Sequence, residues 1–158
     1  IQNNNTIDLK KITMIKIETN SSWLKVCNIQ KPSTGFLSNF SYTLTTSMIL
    51  NGINMSKPNS YNHKVCTDTV ITEIRDKVIV IGNNNIPKSK TIVTIHHNNE
   101  KITKSFDLSD SINPDVLYKK IIQKSETLLG KRRLDKIVSL IEKPEIKKTK
   151  NLIKILSS

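Results

Sequence analysis

Phe40-Ser41-Tyr42-Thr43-Leu44-Thr45-Thr46-Ser47-Met48-Ile49-Leu50 is the stretch on which the fold reading turns. Phe40, Tyr42, Leu44, Thr46, Met48 and Leu50 fall on every second position, with Ser41, Thr43, Thr45 and Ser47 among the residues between them. Successive side chains of a strand point to opposite faces. This alternation therefore predicts a half-buried strand, apolar inside and lined with hydroxyls outside. Asn51-Gly52 supplies a turn at its end.

Toward the N-terminus, Ile12-Thr13-Met14-Ile15-Lys16-Ile17-Glu18 and Trp23-Leu24-Lys25-Val26-Cys27 are β-favouring runs split by a polar turn, which reads as a hairpin. Toward the C-terminus, residues 53–64 read as a loop around Pro58 and residues 65–74 as a further strand. Lys77-Val78-Ile79-Val80-Ile81-Gly82 is a dense apolar run of the kind found in a central strand. Thr91–His96 and Lys101–Phe106 flank His97-Asn98-Asn99-Glu100, a four-residue hairpin loop. The connections look too short for repeated helical crossovers, so the expectation is five to seven strands, mostly antiparallel.

The pattern changes at Asp107. Ser109, Asp110 and Asn113 offer helix caps, and Pro114 suits a first helical position. Val116, Leu117, Ile121, Ile122, Ser125, Leu128 and Leu129 keep helical spacing up to Gly130, with Lys119, Lys120 and Lys124 alongside. Leu134, Ile137, Val138 and Ile141 form a second stripe. After Pro144, Ile146, Thr149, Ile153 and Leu156 form a third. The predicted class is α+β: a single domain over 1–158, with a strand-rich body at about 7–106 and two or three amphipathic basic helices at about 114–156.

The chain has 158 residues, no alanine, and many lysines, asparagines and isoleucines, the mark of an A-rich coding sequence. Its lysine count therefore overstates selection for charge. Glutamate also has A-rich codons, yet Lys and Arg number 25 against 13 Asp and Glu, a net charge of +12 that coding bias alone does not explain. Such a charge fits a protein that meets phosphate. No apolar run approaches the roughly 18 residues needed to cross a bilayer. Residue 1 is Ile, which suits a mature product, a released polyprotein segment or part of a longer chain.

The basic end concentrates that charge. Lys131, Arg132, Arg133, Lys136, Lys143, Lys147, Lys148, Lys150 and Lys154 face only Asp135, Glu142 and Glu145, so residues 131–158 carry half of the net charge. Such residues neutralise phosphates without reading sequence. Arg132 and Arg133 are two of three arginines in the chain and add the forked grip on phosphate that lysine lacks. Lys88 and Lys90, at the tip of a presumed hairpin over residues 83–90, form a second basic element. A solvated face on amphipathic helices in a lysine-rich chain, and an ordinary loop, account for the same residues without a ligand.

Other chemistries find weaker support. Cys27, His63, Cys66 and either His96 or His97 offer four soft ligands, but no Cys-x-x-Cys anchors them. The same cysteines and histidines carry no nucleophile motif. Asp107, Asp110 and Asp115 gather where a helix begins, which capping and the helix dipole explain. No Gly-rich phosphate loop is present. Phe36, Phe40, Tyr42 and Tyr61 suit core packing better than base stacking.

The reading that results is a non-enzymatic component without a cofactor. It contacts the phosphate backbone of nucleic acid, RNA first, inside a ribonucleoprotein, a virion or another larger assembly, in a cell or organelle. The alternative is an interaction module whose C-terminal helices dock on a protein through Leu134, Ile137 and Ile141. A third class, a secreted or virion-surface domain, requires a Cys27–Cys66 bridge and sugars on Asn20, Asn39 or Asn54. The acceptor sequences at these positions and at Asn4 are no more frequent than composition predicts.

Overall fold

Ile12–Thr19 forms a strand, β1, in the computed structural model, which describes residues 7–142. Its Ile15, Ile17 and Thr19 are buried, while Lys16 and Glu18 pair at 3.0 Å on the opposite face. Three more strands join it: β2 (Val78–Gly82), β3 (Lys90–His97) and β4 (Glu100–Asp107). The sheet order is β2-β1-β3-β4, with β1 parallel to β2 and antiparallel to β3, and β3 antiparallel to β4.

A parallel pair needs a crossover. Residues 20–77 supply it with five helices: α1 (Leu24–Cys27), α2 (Gly35–Ser38), α3 (Tyr42–Leu50), α4 (His63–Thr67) and α5 (Thr69–Arg75). After the sheet come α6 (Pro114–Leu129) and α7 (Lys131–Glu142). The chain is thus α+β, with one four-stranded mixed sheet and seven α-helices among the described residues. This overturns the expectation of five to seven mostly antiparallel strands with the helices confined to the C-terminal end. A third C-terminal helix at residues 145–156 lies outside the described residues.

The error starts at residues 40–50, which are helical. Ser41 is extended and its Oγ accepts a hydrogen bond from the Leu44 N–H at 3.1 Å, the geometry of an N-cap. The buried residues of α3 are Thr43, Leu44, Ser47 and Met48, spaced i, i+1, i+4, i+5, so half of the inward stripe is hydroxyl. Those hydroxyls are satisfied inside. Thr43 Oγ1 donates to the Gln30 carbonyl at 2.8 Å, and Ser47 Oγ donates to the carbonyl of Ile71 in α5. Hydroxyls expected to face water thus tie α3 to its neighbours.

Side-chain caps also decide residues 62–75. Asn62 Oδ1 accepts from the Val65 N–H, and Asp68 Oδ1 from the N–H groups of Val70 and Ile71, so α4 and α5 replace the expected strand. Residues 23–27 continue a 3-10 turn (Ser21–Trp23) into α1 instead of closing a hairpin with β1. At the start of α2, a Cβ on Gly35 would collide with the Tyr61 carbonyl, so only glycine allows that approach.

The β3–β4 connection is shorter than expected. Asn98 and Asn99 have φ of 50° and 62°, and His97 pairs with Glu100, leaving a two-residue turn of the twisted kind that suits a hairpin. The apolar run Val78–Gly82 is a strand, but it lies at an edge of the sheet and not at its centre. Residues 83–89 do not form a hairpin loop, because β1 lies between β2 and β3.

The chain divides into two compact units, Ile1–Ser111 and Ile112–Ser158. The first has two buried clusters. Ile12, Ile15, Ile17, Val78 and Ile95 of the sheet and its entry meet Ile74 of α5, with Tyr42 and Leu50 packed against them. Leu44 and Met48 of α3 join Val65, Cys66 and Ile71 in the other. Helix α3 therefore serves both.

Candidate nucleic-acid interface

The second unit, among the described residues, is a pair of helices joined by one residue. Asn113 caps α6, its Oδ1 accepting from the Asp115 N–H at 2.8 Å, with Pro114 and Asp115 in the first turn. Gly130 ends α6 at φ 78°, a left-handed value that favours glycine, and its N–H donates to the Glu126 carbonyl at 2.9 Å. The Gly130 carbonyl in turn accepts from the Leu134 N–H at 3.1 Å, starting α7. The two helices contact each other.

Helix α7 separates its faces. Leu134 and Ile137 are buried, Arg133, Val138 and Leu140 are half-buried, and Lys131, Arg132, Asp135, Lys136 and Ser139 are exposed. Ile141, expected in the apolar stripe, is exposed. The first turn holds Lys131, Arg132 and Arg133 and no carboxylate. A helix N-terminus is already the positive end of the backbone dipole, so cations there cost stability and concentrate positive potential. None of Lys131, Arg132 and Lys136 forms an ion pair among the described residues, and the same holds for the exposed Lys119, Lys120 and Lys124 of α6. Those three α6 lysines belong to the same unit's cationic surface, and their clustering on one helix was visible in the sequence.

The other candidates stand elsewhere. Lys143, Lys147, Lys148, Lys150 and Lys154 lie outside the described residues. Lys88 is exposed and Lys90 half-buried, at the end of a connection held to the fold by two side chains. Asn20 Nδ2 donates to the Ile86 carbonyl at 2.8 Å, and Trp23 Nε1 to the Lys88 carbonyl at 2.9 Å. Ile86 itself is buried. This is an anchored strap and not a projecting finger.

Cys27 ends α1, His63 opens α4 at the surface, Cys66 is buried, and His96 lies within β3. His63 Nδ1 is 2.9 Å from the Ser33 carbonyl oxygen. Burial pushes the Cys66 thiol up, against the thiolate a metal requires. Among the described residues no three His, Cys, Asp or Glu side chains stand together as a metal site. Both thiols are free. Asn20, one of the acceptor asparagines, already spends its amide on the strap.

Asp107 works as a local organiser. The hydroxyl and N–H of Ser109 donate to it, at 2.7 and 3.0 Å, and hold its carboxyl down to about 2. No helix of the described residues is long and apolar enough to cross a membrane. No protein-family model matches the chain, and no curated protein is found similar to it.

Proposed function

We propose that this chain is a non-enzymatic nucleic-acid-binding component, in which the exposed cations of α7 hold the phosphate backbone without reading base sequence. The observation that carries the reading is the first turn of α7. Lys131 and Arg132 stand exposed at a helix N-terminus that has no carboxylate, Arg132 opposite buried Leu134 and Ile137 and Lys131 at the flank of that stripe. That arrangement costs the helix stability unless an anion neutralises it. Lys136 one turn on, and Lys119, Lys120 and Lys124 on α6, extend the supply of exposed cations that have no ion pair among the described residues.

Backbone contact fits better than base stacking. The strand residues on the sheet face that carries Ile79, Ile81, Ile92 and Thr94 include no Phe, Tyr or Trp, and half-buried His96 is the ring among them. A setting inside a cell, organelle or virion, within a ribonucleoprotein or similar assembly, follows from this reading, and free thiols agree with it.

The test is fluorescence anisotropy with RNA and DNA oligomers of mixed sequence, from about 50 to 200 mM salt. Affinity should fall steeply with salt, and replacing Lys131, Arg132 or Lys136 by Gln should each reduce the salt slope by about one. Absent binding, or a slope that ignores all three substitutions, would sink the proposal.

A second reading, docking of a protein on the helices, gains from one observation. Leu117, Ile121 and Leu128 of α6 are exposed. Those residues, and not the buried Leu134 and Ile137, would then carry the contact. Binding of that kind persists in high salt and fails when Ile121 is made polar.

A further inference from the structure

We propose that the outer edge of β2 is an interface for a second copy of this chain, joined strand to strand and antiparallel about Val80. β2 contains Val78, Ile79, Val80, Ile81 and Gly82, the composition of a strand enclosed on both sides, yet it has a neighbour on one side only. Ile79 and Ile81 are 48% and 40% exposed. Natural sheets guard their edges with charge, proline or bulges. β4, the other edge, carries Glu100, Lys101, Lys104 and Asp107 among its eight residues, whereas β2 has no charge, proline or bulge.

The backbone of β2 is free to pair. The Ile15 N–H donates to the Lys77 carbonyl at 2.9 Å, and the Asn83 N–H donates to the Thr19 carbonyl at 2.8 Å. A parallel ladder uses alternate residues, so Lys77, Ile79, Ile81 and Asn83 face β1, and Val78, Val80 and Gly82 turn their N–H and C=O groups outward. None of those outward groups has a hydrogen-bond partner among the described residues.

The strand also complements itself. Antiparallel about Val80, each Val80 faces Val80 of the second copy, and Val78 faces Gly82 of the second copy. Both are pairs of outward-pointing residues, as hydrogen-bonded pairs require. Ile79 then meets Ile81 of the second copy in the closer pairing, apolar against apolar. Lys77 falls opposite Asn83 of the second copy, so the two Lys77 stand at opposite ends. In register with Ile79 and Ile81 are Lys16 and Glu18. Each row across the joined sheet therefore carries Lys16 on one side and Glu18 of the second copy on the other, and no like charges meet. Nucleic acid would find no cation within this strand, and a two-fold pairing closes after two copies.

Sedimentation equilibrium of the full chain, stripped of nucleic acid in high salt, tests this. The wild type should be a dimer. Val80→Pro removes an outward N–H and leaves the residues that bond β1 in place, so it should yield a monomer with an unchanged circular dichroism spectrum. Ile79→Lys, on an exposed side chain, should do the same, and it decides the matter if the proline variant fails to fold. Ser105→Pro removes an outward N–H from the β4 edge and should remain dimeric. A monomeric wild type, open-ended aggregation, or a folded Ile79→Lys variant that stays dimeric would overturn the proposal, as would dissociation by Ser105→Pro.

Discussion

Ile15 and Ile121 are the same residue in two different situations. Ile15, in the sheet of the first unit, is 0% exposed, whereas Ile121, on α6 of the second unit, is 53% exposed. The contrast in charge is one of degree, since Lys57, Lys64, Lys88, Lys101 and Lys104 of the first unit also stand without an ion pair among the described residues. The first unit holds ion pairs between Lys11 and Asp8, Lys16 and Glu18, Arg75 and Asp76, and Lys77 and Glu73. In the second, Lys119, Lys120, Lys124, Lys131, Arg132 and Lys136 have no such partner among the described residues. A fold that needs only to stand satisfies its side chains internally. Apolar surface and charge left unsatisfied are what a protein spends on something it binds.

The largest expected effect follows from the isoleucines. Ile15→Ala removes buried methyl and methylene groups from a close-packed cluster and should destabilise the first unit by about 2–5 kcal/mol. Ile121→Ala should change stability by less than about 0.5 kcal/mol, because it leaves no cavity and alanine favours the helix. Urea titrations measure both, with Trp23, the single tryptophan, reporting the first unit and circular dichroism the helices. Equal effects at the two positions would erase the comparison.

Serine sharpens the comparison at a smaller scale. Ser47 is fully buried and bonds the Ile71 carbonyl, so Ser47→Ala should cost about 1–2 kcal/mol. Ser125, half-buried on α6, has no hydrogen bond of its side chain among the described residues, and Ser125→Ala should stabilise slightly through helix propensity, by about 0.5 kcal/mol. Opposite signs in one urea series are the expected result.

Ser47 also shows why the sequence was misread where it mattered most. Its stripe, Thr43, Leu44, Ser47 and Met48, has helical spacing, but an apolar count sees only Leu44 and Met48 and takes the alternation of Tyr42, Leu44, Thr46 and Met48 instead. A hydroxyl can go inside a helix bundle once it finds a carbonyl, and no one-dimensional pattern states whether Gln30 or Ile71 will be near. The caps at Asn62 and Asp68 were legible as residues. The β-branched residues that follow them favour a strand on propensity alone, and the caps outweigh that preference. Where one face buries mostly hydrocarbon, as in β1, or where cap, spacing and stop agree, as in α6, the element lies where the sequence pattern places it. Chain order misleads again at β2, since 58 residues of helical crossover, 20–77, separate β1 from its parallel partner. The exposed cations Lys131, Arg132 and Lys136 were readable because charge at a surface needs no tertiary partner to place it.

A change in stability as small as these bears most directly on what the second unit is for. Arg132→Glu puts a carboxylate in the first turn of α7, where the helix dipole favours negative charge and three cations now crowd. The variant should therefore be more stable than the wild type by about 0.3–1 kcal/mol at low ionic strength, with the gain fading as salt screens it. If Arg132 served only the fold, such a gain would come without loss. If it serves a phosphate, the same substitution must cut nucleic-acid affinity, because it removes one cation and sets an anion where the backbone would lie. Thermal melts and anisotropy on one preparation measure both quantities. Stability and binding that move in opposite directions mark a residue kept against the interest of its own helix. A variant that loses stability, or keeps its affinity, would show that Arg132 is held by contacts within the fold.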